Sequence, residues 1–209
     1  MLFRLVTLAL LFCHSLTLQA TVSDSALKAC IQKTMDKEGI KKPDELEKLK
    51  CHNKGIQSID GISNYTNLEN LSLFGNKIGD ANLTQLKHLQ HLNLAKNRLK
   101  TLEIKGLNKL ETLYLFKNKL TTIDFEGVSA LTKMRIMQNQ LNTLDITPLR
   151  SLNEAYLWDN QLEDLQITGL EQLTFLDVKQ NPMPDELYDF YDQQSGITIS
   201  HDGNADDWK

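Results

Sequence analysis

Asn76, Asn97, Asn118, Asn139, Asn160 and Asn181 follow one another at intervals of 21 residues without a slip. Around them stands one frame, repeated as LENLSLFGNKI, LQHLNLAKNRL, LETLYLFKNKL, LTKMRIMQNQL, LNEAYLWDNQL and LTFLDVKQNPM. A strict period of this length means a stack of equivalent coils, since no single unit can bury its own apolar residues. In each unit two apolar residues alternate, as in Leu71/Leu73, Leu113/Leu115, Met134/Ile136 and Ala155/Leu157, which is the buried face of a short strand. The asparagine that follows can both donate and accept. A ladder of such side chains would satisfy turn backbone groups otherwise buried without partners. The second half of a unit reads as in Leu99, Leu102, Ile104, Gly106 and Leu107; Gly106, Gly127 and Gly169 share a column and predict a tight turn behind the strand.

These units fit the pattern L-x-x-L-x-L-x-x-N-x-L, and the chain resembles the leucine-rich repeat family. The 21-residue period and the segment Leu141–Ile146 are most similar to the bacterial internalin-type repeats. The resemblance implies an α/β-type repeat solenoid: a curved, right-handed coil of about seven turns with a parallel sheet on its concave side. A 21-residue turn leaves little room for a helix, so an extended or 3₁₀ back is expected ahead of a helical one.

An open solenoid needs caps. Residues 21–50 are expected to form a helical N-terminal cap, with a helix over Ser25–Met35, Ser23 or Ser25 as its N-cap and Gly39 as its stop. Leu49, Cys51 and Ile56 fit a degenerate first unit in which Lys54 stands in the asparagine column, and the repeats proper are assigned to 51–184. Residues 185–209 form the C-terminal cap, with a short helix at Asp185–Tyr191 and a strand around Ile197–Ile199.

The first 20 residues, MLFRLVTLALLFCHSLTLQA, have the Arg4 n-region, the short apolar run and the small Ala20 of a secretory signal. That run is too short to span a bilayer, and no later segment is longer. The mature chain is therefore expected to begin near Thr21 and to be secreted or periplasmic. Cys30 and Cys51 then remain as an even pair in an oxidising compartment, and a disulfide between them would stabilise the fold by about 3 kcal/mol while pinning the cap helix onto the first coil. Compared with internalins, an LPxTG-type wall anchor and a following immunoglobulin-like domain are missing; the expected source is a Gram-negative bacterium.

Strand positions flanking the buried pair face the concave side. One column reads Ser72, Asn93, Tyr114, Arg135, Tyr156 and Asp177; the next reads Phe74, Ala95, Phe116, Met137, Trp158 and Lys179. Five of the twelve are aromatic where the overall frequency of 7% would place about one. Phe74, Tyr114, Phe116, Arg135, Met137, Tyr156 and Trp158 thus form a candidate surface rich in the residue types of interaction hot spots. The internalin resemblance implies the same use, since that family grips host proteins with concave-face aromatics. The expected partner is a protein, with a cell-surface glycan as the alternative, because Tyr and Trp also stack on sugars.

Other chemistry is poorly represented. A formal charge of −4, with seven acidic residues against Lys209 alone beyond residue 184, argues against a nucleic-acid binder. No nucleophile–base–acid set or phosphate loop stands out, so the chain is not read as an enzyme and no cofactor is expected. His88 and His91 lack further ligands nearby, and Asp202–Asp206 matches only the opening of a calcium loop, so no metal is expected.

Overall fold

A computed structural model describes residues 21–203; residues 1–20, where a signal segment is expected, and residues 204–209 lie outside the described residues. Each coil contributes one three-residue strand to a single parallel sheet. In chain order the elements are α1 (Ser25–Glu38), β1 (Lys48–Lys50), β2 (Asn70–Ser72), β3 (Asp80–Asn82), β4 (His91–Asn93), β5 (Thr101–Glu103) and β6 (Thr112–Tyr114). There follow β7 (Lys133–Arg135), β8 (Glu154–Tyr156), β9 (Phe175–Asp177), α2 (Asp185–Asp192) and β10 (Thr198–Ser200). The sheet runs β1-β2-β4-β6-β7-β8-β9-β10, so sequence neighbours on the concave face are also spatial neighbours. This is a leucine-rich-repeat coil. Its first strand lies just ahead of residue 51, and its last belongs to the C-terminal cap.

The back of the coil is extended rather than helical: β3 pairs with β5, and the other coils cross in turns. Both 3₁₀ turns, Pro43–Glu45 and Ile62–Asn64, belong to the N-terminal region. Gly127 shows why the turn column is glycine. It has φ +72°, and a Cβ there would come within 2.9 Å of the Gly106 Cα in the coil before.

The leucine columns form one continuous core, with Leu71, Leu73, Leu113, Leu115, Leu131 and Leu157 at 0% exposure. Burying each such side chain contributes roughly 1.5–3 kcal/mol, which is the chief driving force for stacking. Between the core and the concave rim runs the asparagine ladder. Asn118 accepts from the Leu99 N–H (3.0 Å) and donates to the carbonyls of Leu94 (3.0 Å) and Leu115 (2.8 Å). Asn97, Asn139, Asn160 and Asn181 repeat this arrangement one coil apart. Asn76 does more: it accepts from both Lys54 N–H (2.9 Å) and Ile56 N–H (3.1 Å) and donates to the Cys51 carbonyl (2.8 Å). The first coil can therefore carry Lys54 in place of its own asparagine.

At the N-terminal end the helix is capped by Asp24, not by Ser23 or Ser25. One carboxylate oxygen accepts from Ala26 and Leu27 N–H, both at 2.9 Å, and the other from Gln57 (2.8 Å) and Ser58 (3.4 Å) on the first coil. A carboxylate has acceptor capacity for both tasks, which a serine hydroxyl does not. The helix runs to Glu38, three residues past the expected Met35, and stops at Gly39 with φ 72°. Cys30 and Cys51 are joined as a disulfide, with Cα atoms 6.0 Å apart.

Candidate functional site

The register of the sheet sets the geometry of the concave face. Tyr114 pairs with Arg135 and Arg135 with Tyr156, so the three side chains stand in one row across β6, β7 and β8. The Arg135 guanidinium carbon lies 5.4 Å from the Tyr114 ring centroid and 4.8 Å from that of Tyr156, a cation held between two π faces. Its Nε is buried with no hydrogen-bond partner among the described residues, so ring contacts are what hold that end of the guanidinium.

In the outer row Phe74 and Phe116 are two coils apart, yet their ring centroids are only 6.3 Å apart. Ala95, between them, is fully buried and too small to separate them. Met137 and Trp158 continue the row on the next two coils, both half-buried. Among the described residues no second ring or cation stacks on the Trp158 indole; its carbonyl accepts from the Gln138 N–H at 3.0 Å.

The sheet thus brings all seven anticipated residues onto one face, but their packing differs from a freely exposed patch. Each is half-buried, and Phe190 on α2, at 38%, is the exposed large hydrophobic of the described chain. Phe74 packs on Phe116, Tyr156 on Phe175, and Arg135 on Tyr114 and Tyr156.

Four participants, Phe175, His52, Glu154 and Lys133, were not picked out by the two columns. Phe175, first residue of β9, lies 4.9 Å from Tyr156, ring to ring. His52, in the degenerate first coil, lies 5.6 Å from Phe74 and holds the Ser72 hydroxyl at 2.6 Å. Burial, with help from the Lys50 charge, keeps its imidazole pKa below the ordinary histidine value. Glu154 forms an ion pair with Lys133, whose ammonium holds the Glu154 carboxyl below the usual range, and accepts from the Tyr156 hydroxyl at 3.3 Å. The strand-first column would have revealed Phe175, Lys133 and Glu154, as the register of β1 on β2 would have revealed His52.

Beside the patch, the N-terminal half of the concave face forms a shallow groove of about 470 Å³ lined by Lys50, His52, Asn70, Asn93 and Tyr114 among others. Among the described residues no group of three or more His, Cys, Asp or Glu side chains is placed to hold a metal ion. No described helix is long and apolar enough to cross a membrane. Asp202, a member of the partial calcium motif, instead accepts from the Gln180 N–H at the open end of the last coil.

Family models for leucine-rich repeats match residues 66–81 and, as two copies, residues 87–132. Among curated proteins none matches the chain by sequence. Among solved structures, internalin C2 of Listeria monocytogenes is similar at 24% identity, over 88% of this chain and 98% of that one, with a TM-score of 0.57. The functional domain of InlJ, also from Listeria monocytogenes, matches at 23% identity over 68% of this chain, with a TM-score of 0.39. This chain spans only 46% of that domain. A leucine-rich repeat protein of Leptospira interrogans matches at 24% identity over 67% of this chain and half of its own length, with a TM-score of 0.44. The repeat frame, ladder and sheet define a leucine-rich repeat coil, and the family models match it over these two stretches. It is internalin-like in fold, and these structural neighbours are bacterial.

Proposed function

We propose that the protein is an exported binding module that recognises a protein partner through the aromatic patch of its concave face. Folds of this class generally mediate protein–protein interaction and are generally non-enzymatic scaffolds. The observation that carries the reading is the row Tyr114–Arg135–Tyr156 beside Phe116, Met137 and Trp158. Arg135 is held between the Tyr114 and Tyr156 rings, so a partner would meet a row that is already ordered and less ordering entropy would oppose binding there. The disulfide and the apolar leader with Arg4 and Ala20 support a location outside the cytoplasm, secreted or periplasmic.

The polar groove beside Tyr114 favours a second reading, in which the face binds a cell-surface glycan by stacking plus fixed donors and acceptors. Presenting the purified protein to a glycan array and to protein extracts in parallel separates the two. Trp158→Ala should leave unfolding free energy within about 1 kcal/mol while weakening capture of the protein partner by about 2 kcal/mol or more. Retention by glycans that free sugar displaces, with no protein captured, would overturn the first reading.

A further inference from the structure

The turns that leave the concave strands carry charge unevenly along the solenoid. Residues 74–79, 95–100 and 116–121 contain no Asp or Glu, but they carry Lys77, Lys96, Arg98, Lys100, Lys117 and Lys119, all exposed. Lys77, Arg98 and Lys119 each follow a ladder asparagine, so they rise as one column at the strand spacing of about 4.8 Å. Lys96 and Lys117 precede the same asparagines, in left-handed backbone at φ 54° and 59°, and form a second column beside it. In the next coil the equivalent turn is neutral, with Gln138, Gln140 and Asn142; in the one after it is acidic, with Asp159 and Glu163.

None of the six cations belongs to an ion pair among the described residues, whose pairs are Lys105–Glu126, Lys133–Glu154 and His201–Asp192. The rim nonetheless touches the aromatic patch, since Lys96 Nζ lies 5.1 Å from the Phe74 ring centroid. Across the sheet, the segments entering the strands carry Glu47, Glu69 and Glu111. A chain of net charge −4 has therefore collected unpaired positive charge along one edge of its proposed binding face. Such a field steers and orients a complementary ligand.

We propose that this rim seats an extended acidic segment of the protein partner, lying along the solenoid axis with its carboxylates on the Lys77–Arg98–Lys119 column. Three coils span about 10 Å, the reach of three to four extended residues. The acidic turn at Asp159 and Glu163 repels the same segment and so bounds it on that side. Tyr, Trp and Met beside the rim match a protein surface better than a sulfated glycan. The identity of the ligand rests on the protein-binding reading above, whereas the rim itself can be tested without the aromatic patch.

The test is fluorescence anisotropy of a labelled hexaglutamate peptide with the full chain at low and physiological ionic strength. Wild type should bind saturably and more weakly as salt rises. K77E/R98E/K119E should weaken binding at least tenfold, and the neutral K77Q/R98Q/K119Q by an intermediate factor. K28E/K33E/K109E, with the same change in net charge elsewhere, should stay within twofold. Equal loss in the rim and control reversals, no saturable binding, or preferential displacement by a sulfated oligosaccharide of equal charge would each overturn the proposal. Any of these would leave the Trp158→Ala result, and with it the aromatic-patch reading, untouched.

Discussion

At the N-terminal end of the solenoid the core is covered by α1, held by the Cys30–Cys51 disulfide and by Asp24 bridging the helix and first coil. At the C-terminal end the cover is α2 and β10, held without a disulfide. There Tyr188 donates to the Asn181 carbonyl (3.1 Å), Tyr191 donates to the Leu165 carbonyl (2.8 Å), and the His201 ring stacks on Tyr188 at 4.8 Å. β10 continues the parallel sheet and accepts the Val178 N–H at Ser200, while Asp202 takes the Gln180 N–H. The N-terminal cap is a separate helix laid over an irregular coil and tied to it. The C-terminal cap imitates one more coil, and two buried tyrosines and a carboxylate supply what a following repeat would have supplied. A cover that cannot join the ladder depends on a cross-link; one that can needs only well-placed hydrogen bonds.

This contrast can be broken at either end. Tyr191 is 2% exposed, and burial pushes its phenol pKa well up. Tyr191→Ala should cost about 3–5 kcal/mol in urea unfolding, through both the cavity and the orphaned carbonyl. Cys30→Ser with Cys51→Ser should cost about 3 kcal/mol and speed amide exchange in α1 and β1 but not in β9 or β10. Uniform acceleration at both ends would show that the caps are not independent.

Asp24→Ala should cost about 1–2 kcal/mol, at the upper end for a cap because four N–H groups lose their acceptor. Desolvation raises the Asp24 pKa, but the donors from Gln57, Leu27, Ser58 and Ala26 together outweigh it and leave it below its ordinary 3.8. A depressed carboxyl stabilises the fold above its unfolded pKa and loses that contribution as pH falls through the folded value. The stability gap between wild type and Asp24→Asn should therefore be full at neutral pH and close below about pH 3.8. A gap independent of pH would mean that geometry, not charge, is what Asp24 provides. The smallest effect is expected from Asp202→Ala, under about 1 kcal/mol, because the Gln180 N–H it leaves behind can turn to water. Its sign is read from amide exchange at Gln180.

The coil itself was legible in the sequence because Asn76 to Asn181 never lose phase and both buried strand columns are filled by Leu, Ile, Val, Met or Ala. Local ambiguity hid the cap residue: Ser23, Asp24 and Ser25 are consecutive good N-caps, and only the position of Gln57 and Ser58 in space favours the carboxylate. The membership of the concave face was also readable, but not its burial. Whether Phe74 and Phe116 meet depends on Ala95 lying flat beneath them, and whether Arg135 is free depends on both tyrosines turning toward it. Those are rotamer outcomes, which column position alone does not determine. The cations of the rim sit in turns where lysine normally signals only solvent, and their alignment becomes visible once the coils are stacked.

The ladder has a consequence for how such a molecule can change over generations. Each rung bonds its own coil and the one before, and nothing further along. Excising or duplicating a complete 21-residue segment therefore leaves every other rung with its partners, and the new junction is chemically the same as the old. Length can vary in whole steps at almost no structural cost, carrying rows of concave side chains in or out together. A surface assembled in this way is revised by the row before it is refined by the residue.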